Sequence, residues 1–234
     1  MGKLVKRLML DDIYAIGRNE NWFSDMAKRG LHLKKIGRFF VHFERGESKK
    51  TKYIIDIIKE KPSQEQLDVY HDCGWDIVTN MQSFYIFSAD EKLCTSELHT
   101  DPIEQGFSLS YLNKRLKINL IMMSIAMLLF FGIMFSMFIL IDEPFLFMTK
   151  GPFVQQLLVI IAELYVFYSV MRNYVVIRNL KKSLLQGKAI DHKENYRKAR
   201  LTGGILAGLF LPLALLTIFI PFVEITKSKD YTLQ

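Results

Sequence analysis

The chain has 234 residues, 50% of them hydrophobic, and a formal net charge of +7. Residues 1–110 contain 16 Lys and Arg against 17 Asp and Glu, whereas residues 111–234 contain 15 against 7, and every long uncharged run follows Lys117. This distribution excludes a single water-soluble domain, and it relates the basic excess to membrane orientation and lipid headgroups instead of nucleic acid.

The first part of the chain, residues 1–100, is predicted to be a cytoplasmic α+β domain. Alternating and helical apolar periodicities predict one strand, a helix, three strands, a second helix and two strands. The predicted strands are 3–10, 31–36, 39–45, 50–58, 75–80 and 83–88, and the predicted helices are 12–29 and 63–73. On the first helix, Ile13, Ile16, Phe23 and Met26 form one apolar stripe, and Gly30 should end the helix.

The two halves of this domain align when the chain is shifted by 44 residues. The aligned pairs are Gly30 with Gly74, Leu31 with Trp75, Leu33 with Ile77, Phe40 with Phe84, Phe43 with Phe87 and Phe23 with Leu67. A βαββ unit is therefore predicted to occur twice, as a ferredoxin-like or related duplication. Both helices would cover one face of an antiparallel sheet, because that arrangement buries both apolar stripes.

The same region contains a distinctive series of aromatic residues and glycines. The series is Trp22-Phe23-x-x-Met26-Ala27-x-x-Gly30-x-x-Leu33, then Phe39 to Glu44, Tyr53 to Asp56, and Gly74-Trp75. Over roughly residues 10–90 these positions resemble the bacterial family called domain of unknown function 2812, with Leu31 in place of the usual aromatic residue. The resemblance implies transmembrane helices after the domain and no particular enzymatic activity. Members are often encoded beside PadR-type transcriptional repressors, which implies a regulatory association.

Three segments after residue 117 are predicted to cross a membrane as helices, and a juxtamembrane linker at 101–117 joins them to the domain. They cover residues 118–141, 153–177 and 201–223 and leave a tail at 224–234. The first segment has 24 residues and no charge. At about 1.5 Å per residue, that length is enough to cross a hydrocarbon core about 30 Å thick.

The basic residues predict the orientation of these spans. Twelve Lys and Arg lie just before the first span or in and beside the connection between the second and third, against three on the other side. The positive-inside rule therefore predicts a cytoplasmic amino terminus and an external carboxy terminus. The charges of the connection at 178–200 either set this orientation alone or also bind anionic lipid headgroups. The candidate headgroup residues are Arg178, Lys181, Lys182, Lys188, Lys193, Arg197, Lys198 and Arg200.

Glu163 is an ionisable residue in the middle of the second span, and such residues are costly in hydrocarbon. Pro212 deprives the carbonyl of Gly208 of its helical partner, and the two helices place that carbonyl and Glu163 at similar depths. Protonated Glu163 is predicted to donate a hydrogen bond to Gly208, with Ser124 as the alternative partner; a proton-linked role is the competing interpretation.

Small residues in the third span predict a close contact between helices. Gly204 and Gly208 are four residues apart, and Pro212 lies four residues beyond them. Such spacing allows the backbones of two helices to approach, either within one chain or in a homo-oligomer.

No catalytic, cofactor-binding or metal site is predicted. The five histidines lack a zinc-binding spacing, Cys73 and Cys94 are expected to stay reduced, and motifs for phosphate or dinucleotide binding are missing from the sequence. Nucleic acid is not the expected partner, because the domain is nearly neutral. We expect a membrane-anchored, non-enzymatic regulatory or sensor protein whose cytoplasmic domain binds a protein partner. The alternative is an accessory subunit of a small membrane transporter or permease that uses Glu163.

Overall fold

The computed structural model of the chain describes residues 3–91, 101–140, 152–206, 208–210, 212 and 215–216. The chain divides into two compact units. The domain unit contains Met1–Lys114 and Val175–Gly203, and the helical unit contains Arg115–Tyr174 and Gly204–Gln234. The connection between the second and third predicted spans therefore belongs to the domain unit.

Eight short elements form the first part of the domain unit, in the predicted order. The strands are β1 (Leu4–Leu8), β2 (Leu31–Ile36), β3 (Phe40–Arg45), β4 (Thr51–Ile57), β5 (Asp76–Met81) and β6 (Phe84–Asp90), and the helices are α1 (Ile16–Lys28) and α2 (Gln64–Asp72). Helix α1 begins four residues later than expected, because the amide of Ala15 donates to the carbonyl of Asp12 and closes a turn before the helix.

The strands form two three-stranded antiparallel sheets, with the orders β1-β3-β2 and β4-β6-β5. The central strand of each sheet, β3 or β6, is the last strand of its βαββ unit. The two outer strands are both antiparallel to it and therefore run parallel to each other. A helix connects the two outer strands. Both sheets have a register break near the start of the second strand, at Leu33/Lys35 and at Ile77/Thr79. A glycine with positive φ, Gly30 or Gly74, precedes that strand in each case.

The strands were expected to share one sheet, but they form two. The edge strands β2 and β5 of the two sheets contact each other without strand pairing, and the free edge of β4 is not paired with a strand of the other sheet. Instead, the amide of Ile55 donates to Oε1 of Glu20 at 2.7 Å, and the amide of Tyr53 donates to Oγ of Ser24 at 3.3 Å. Residues four apart on a helix advance about 6 Å, close to the advance of two residues in a strand, so α1 can follow this edge.

The apolar stripe predicted on α1 is buried. Ile13, Ile16, Phe23 and Met26 are all among the core residues. Beside the stripe, the ring of Trp22 packs edge-on against Phe43 with 5.4 Å between centroids. The second sheet has its own buried cluster, which consists of Ile54, Trp75, Tyr85, Phe87 and Ala89.

Two long helices follow, α3 (Pro102–Leu140) and α4 (Pro152–Leu185), and residues 197–206 are also helical. Helix α3 includes residues 102–117 of the linker predicted at 101–117. By length and composition, α3 and α4 are each able to cross a membrane, and their most apolar stretches are 0% and 6% buried. A core helix of a soluble protein would be mostly buried, so this exposure favours a lipid environment. Residue 141, most of 207–223, the tail at 224–234 and Cys94 lie outside the described residues.

Candidate functional site

A polar interface within the domain unit joins α1 to the segment that follows α4. We call residues 188–203 the docked segment. Glu20, on α1, is only 1% exposed, and both of its carboxylate oxygens are used. Oε1 accepts the amide of Ile55 on β4, and Oε2 accepts Nδ1 of His192 at 2.6 Å. Glu20 thus links a sheet edge to the docked segment.

Arg18 and Asn21, one turn apart on α1, bind the next residues of the docked segment. Nε of Arg18 donates to Asp11 at 2.6 Å, and Nη1 donates to Glu194 at 2.9 Å. The side-chain amide of Asn21 donates to the carbonyls of Lys193 and Glu194 at 3.2 and 3.0 Å. The segment is therefore held through its backbone as well as through its charges.

Two further side chains of the docked segment return to α1. The hydroxyl of Tyr196 donates to Oδ2 of Asp25 at 3.0 Å. Although burial acts to raise the pKa of Asp25, hydrogen bonds from Lys28 and Tyr196 outweigh it and lower the pKa. The guanidinium of Arg200 lies 3.6 Å from the ring centre of Trp22, where burial lowers the pKa of Arg200. An arginine at this distance combines a cation–π contact with stacking.

Glycines allow the backbone of the docked segment to approach the rest of the unit. A Cβ atom at Gly17, in the first turn of α1, would overlap the carbonyl oxygen of Asp191. A Cβ atom at Gly203 would likewise overlap the carbonyl oxygen of Leu10. These approaches leave no space for larger residues, so both glycines are part of the docking geometry.

The arrangement is suited to holding and releasing a segment. A buried carboxylate is tolerated only while its hydrogen-bond and charge partners remain in place, so docking is sensitive to any change at His192. Within the described ranges, no three His, Cys, Asp or Glu residues come together as a metal site would require.

The candidate headgroup residues divide into two groups. Arg178, Lys182, Lys188, Lys193, Arg197 and Lys198 are exposed, whereas Lys181 and Arg200 are half-buried. Arg200 differs from the others because it donates to the carbonyl of Leu8 at 2.9 Å and stacks on Trp22. Its charge is therefore directed into the domain unit.

In the helical unit, Oε2 of Glu163 is buried and has no hydrogen-bond partner among the described residues. The hydroxyl of Ser124 donates to the carbonyl of Leu120, one turn earlier on its own helix. Tyr165 on α4 stacks against Phe210 with 4.1 Å between ring centroids.

The small residues of the third span were predicted to pack closely against another helix. Gly204 is half-buried, whereas Pro212 is exposed. A Cβ atom at Gly208 would meet nothing within 4 Å. Substitution of Gly208 is therefore free of steric conflict within the described chain.

The docking residues of α1 did not emerge from the sequence. The apolar stripe marks one face of the helix, and the polar residues Arg18, Glu20 and Asn21 are typical of a solvated face. A glycine in the first turn of the helix is a signal that was not used: Gly17 lowers helix propensity, which close approach of another backbone would explain.

No curated protein and no solved structure matches the chain. The model of the family described as a protein of unknown function (DUF2812) matches residues 15–123. The match includes α1, both sheets from β2 onwards and the first part of α3, and it confirms the resemblance that the aromatic residues and glycines indicate. Residues 15–123 of this chain are similar to the DUF2812 family.

Proposed function

We propose that this chain is a membrane-anchored, non-enzymatic regulatory protein in which docking of residues 188–203 couples the cytoplasmic domain to the membrane helices. The contact of Glu20 with both Ile55 and His192 carries the proposal. It ties the edge of β4 to a segment that is continuous in the chain with α4 on one side and with the third proposed span on the other.

The proposed membrane arrangement has three spans, about 118–141, 153–177 and 201–223, with the amino terminus in the cytoplasm and the carboxy terminus outside. The exposed apolar surfaces of α3 and α4 support it. The excess of Lys and Arg before the first span and around the docked segment supports the orientation.

The domain that is coupled in this way is proposed to be a duplicated βαββ unit related to the ferredoxin-like fold. The common strand order and the two register breaks, 44 residues apart, support the duplication. Its role in this proposal is to bind a protein partner, so that docking alters how the domain presents its surface.

Coupling follows from the energetics of the interface. Removing the hydrogen-bond partner of a buried acceptor costs about 1–3 kcal/mol, because the remaining group stays desolvated. The docked segment therefore has two favourable states. In the docked state His192 contacts Glu20, and in the undocked state water solvates the carboxylate of Glu20. A shift of the helices that withdraws His192 would free Glu20 and weaken its hold on the edge of β4.

Hydrogen exchange tests the coupling in the full chain reconstituted in a bilayer. We expect His192→Ala to accelerate amide exchange in residues 190–196 and, through Glu20, at Ile55 on β4. The matched control is His71→Ala, since His71 is exposed on α2 and pairs with Asp76. Unchanged exchange at Ile55 in the His192→Ala protein would refute the coupling.

Accessibility labelling tests the membrane arrangement. In intact cells, a cysteine in place of Lys188 should be protected from an impermeant reagent, and a cysteine in place of Asp230 should be labelled. The reverse pattern would overturn the orientation without affecting the docking.

A further inference from the structure

An exposed apolar patch lies at one end of the first sheet, where β1 and β3 are paired. It consists of Leu8, Phe39 and Phe40, which are 43%, 66% and 48% exposed, and we call it the hairpin patch. Leu8 is paired with Phe40, and the carbonyl of Phe39 accepts the amide of Met9 at 2.8 Å. The next residue of β3, Val41, points to the opposite face and is fully buried. The patch therefore belongs to the outer face of the sheet and its hairpin.

Exposed cations accompany the hairpin patch. They are Lys6 on β1, Lys35 on β2 and Arg38 in the hairpin. The guanidinium of Arg38 lies 5.7 Å from the ring centre of Phe39. The acidic residue of the same sheet, Glu44, is ion-paired with Lys34 at 3.5 Å. Aromatic and aliphatic side chains flanked by Lys and Arg are the composition that inserts into an anionic membrane interface.

The hairpin patch also lies beside residues 200–203, where the third proposed span begins. Arg200 donates to the carbonyl of Leu8, and Gly203 approaches the carbonyl of Leu10 too closely for a Cβ atom. The third proposed span begins at residue 201. The residue that directly precedes the span is therefore hydrogen-bonded to Leu8, at the end of β1, and Leu8 is paired with the hairpin.

From these contacts we propose that the hairpin patch inserts into the interface of the anionic bilayer that anchors the chain, an inference that rests on the proposed function. Phe39, Phe40 and Leu8 enter the headgroup region, while Arg38 and Lys6 pair with lipid phosphates. A second copy of this chain fits the patch less well. Pairing of two β1 strands would bring Lys6 and Arg7 of both copies together, and lysines on an edge strand oppose such pairing.

A fluorescence experiment on the full chain tests the insertion. In a Cys73→Ser, Cys94→Ser background, an environment-sensitive fluorophore is attached to Phe39→Cys, and the protein is reconstituted in phosphatidylcholine vesicles with or without phosphatidylglycerol. Lipids that carry a nitroxide near the headgroup serve as quenchers for positions 39 and 69, and lipids that carry it deep in an acyl chain serve as quenchers for position 128, near the middle of the proposed span. The matched control is Val69→Cys on α2, because Val69 has a similar exposure of 61%. A label on Leu128→Cys in α3 reports whether the spans are in the bilayer.

We expect several-fold stronger quenching at position 39 than at position 69, and a further increase with phosphatidylglycerol that Arg38→Glu reverses. Quenching at 128 without quenching at 39 would overturn the insertion and leave the membrane anchor intact. Absence of quenching at both positions would overturn the membrane anchor and the insertion together. A blue-shifted but unquenched label at 39 would show that protein covers the patch, which also contradicts the proposal.

Discussion

His192 and Glu20 are 172 residues apart in the chain, yet Nδ1 of the histidine lies 2.6 Å from Oε2 of a carboxylate that is almost fully buried. The other oxygen of Glu20 accepts the amide of Ile55. One side chain of α1 therefore holds a sheet edge and the docked segment at the same time, which makes it the most informative position for substitution.

We expect Glu20→Ala to lower the free energy of unfolding of the domain unit by about 2–3 kcal/mol, because the buried amide of Ile55 loses a charged acceptor. Both tryptophans of the chain, Trp22 and Trp75, lie in this unit, so denaturant unfolding in detergent can be followed by their fluorescence. The control is Glu60→Ala, whose carboxylate is highly exposed and should contribute less than about 0.5 kcal/mol. Equal effects of the two substitutions would contradict the role of Glu20.

For Gly17→Ala, the direction of the change in stability of the domain unit tests the docking. Alanine in place of glycine normally stabilises a helix by about 0.5–1 kcal/mol. A Cβ atom at this position overlaps the backbone oxygen of Asp191, which cannot rotate away as a side chain can. We therefore expect the substitution to destabilise the domain unit and to accelerate amide exchange in residues 188–196.

The matched control for Gly17→Ala is Gly132→Ala in α3, where a Cβ atom meets nothing within 4 Å. It should leave exchange in the docked segment unchanged. A stabilised Gly17→Ala protein with a protected docked segment would show that the segment does not lie against α1.

His71 supplies a prediction about pH. Its Nδ1 lies 2.7 Å from Oδ1 of Asp76, and the hydrogen bond and then the charge of Asp76 raise the pKa of His71 above 6.5. Because the folded-state pKa is raised, the contact stabilises the domain below the pKa of an unfolded histidine. The stabilisation is lost as the pH rises through the folded-state pKa.

Nuclear magnetic resonance titration of the His71 ring measures this directly. Asp76→Asn should lower the pKa of His71, whereas Asp68→Asn, which removes a more distant charge, should lower it less. A pKa of His71 that is insensitive to Asp76→Asn would show that the two side chains are not in contact in solution.

Local sequence patterns predicted the helices and strands of the domain, but they did not predict that the docked segment contacts α1. The stripe of Ile13, Ile16, Phe23 and Met26 is a property of one helix, and the strand periodicities are equally local, so both could be predicted from short windows of sequence. The contacts of Glu20 depend on residues far away in the chain. A polar residue has the same local pattern whether it contacts water or a partner, so these contacts could not be predicted from short windows of sequence.

The contacts at the edge of β4 could not be predicted for a related reason. Strand periodicity shows which face of a strand is buried, but it carries no information about what satisfies the edge. Here the edge of β4 is satisfied by Glu20 and Ser24 of α1. The sequence also could not show whether the basic residues after α4 face lipid, because Arg200 carries the same charge whether it meets a phosphate or stacks on Trp22.

The last prediction concerns Glu163. A hydrogen bond from protonated Glu163 to Gly208, expected from the sequence, would make Glu163→Leu destabilising by about 1 kcal/mol and would leave Glu163→Gln nearly neutral, since an amide also donates. In the structure Oε2 of Glu163 is buried without a partner among the described residues, and the hydroxyl of Ser124 is bonded to its own helix. Burying an unpaired polar group costs free energy, so the order of the variants should be reversed.

We therefore expect Glu163→Leu to be at least as stable as the unsubstituted chain and more stable than Glu163→Gln. Unfolding in mixed micelles by sodium dodecyl sulfate, followed by helical circular dichroism, measures that order. Leu164→Ala is the control, because this neighbouring side chain is 48% exposed and its loss should change stability little. A loss of stability in Glu163→Leu alone would restore the bond to Gly208. The expected gain would mean that the carboxyl group is kept at a cost in stability, as intramembrane acids of proton-linked proteins are, and that Glu163 does not serve to hold the helices together.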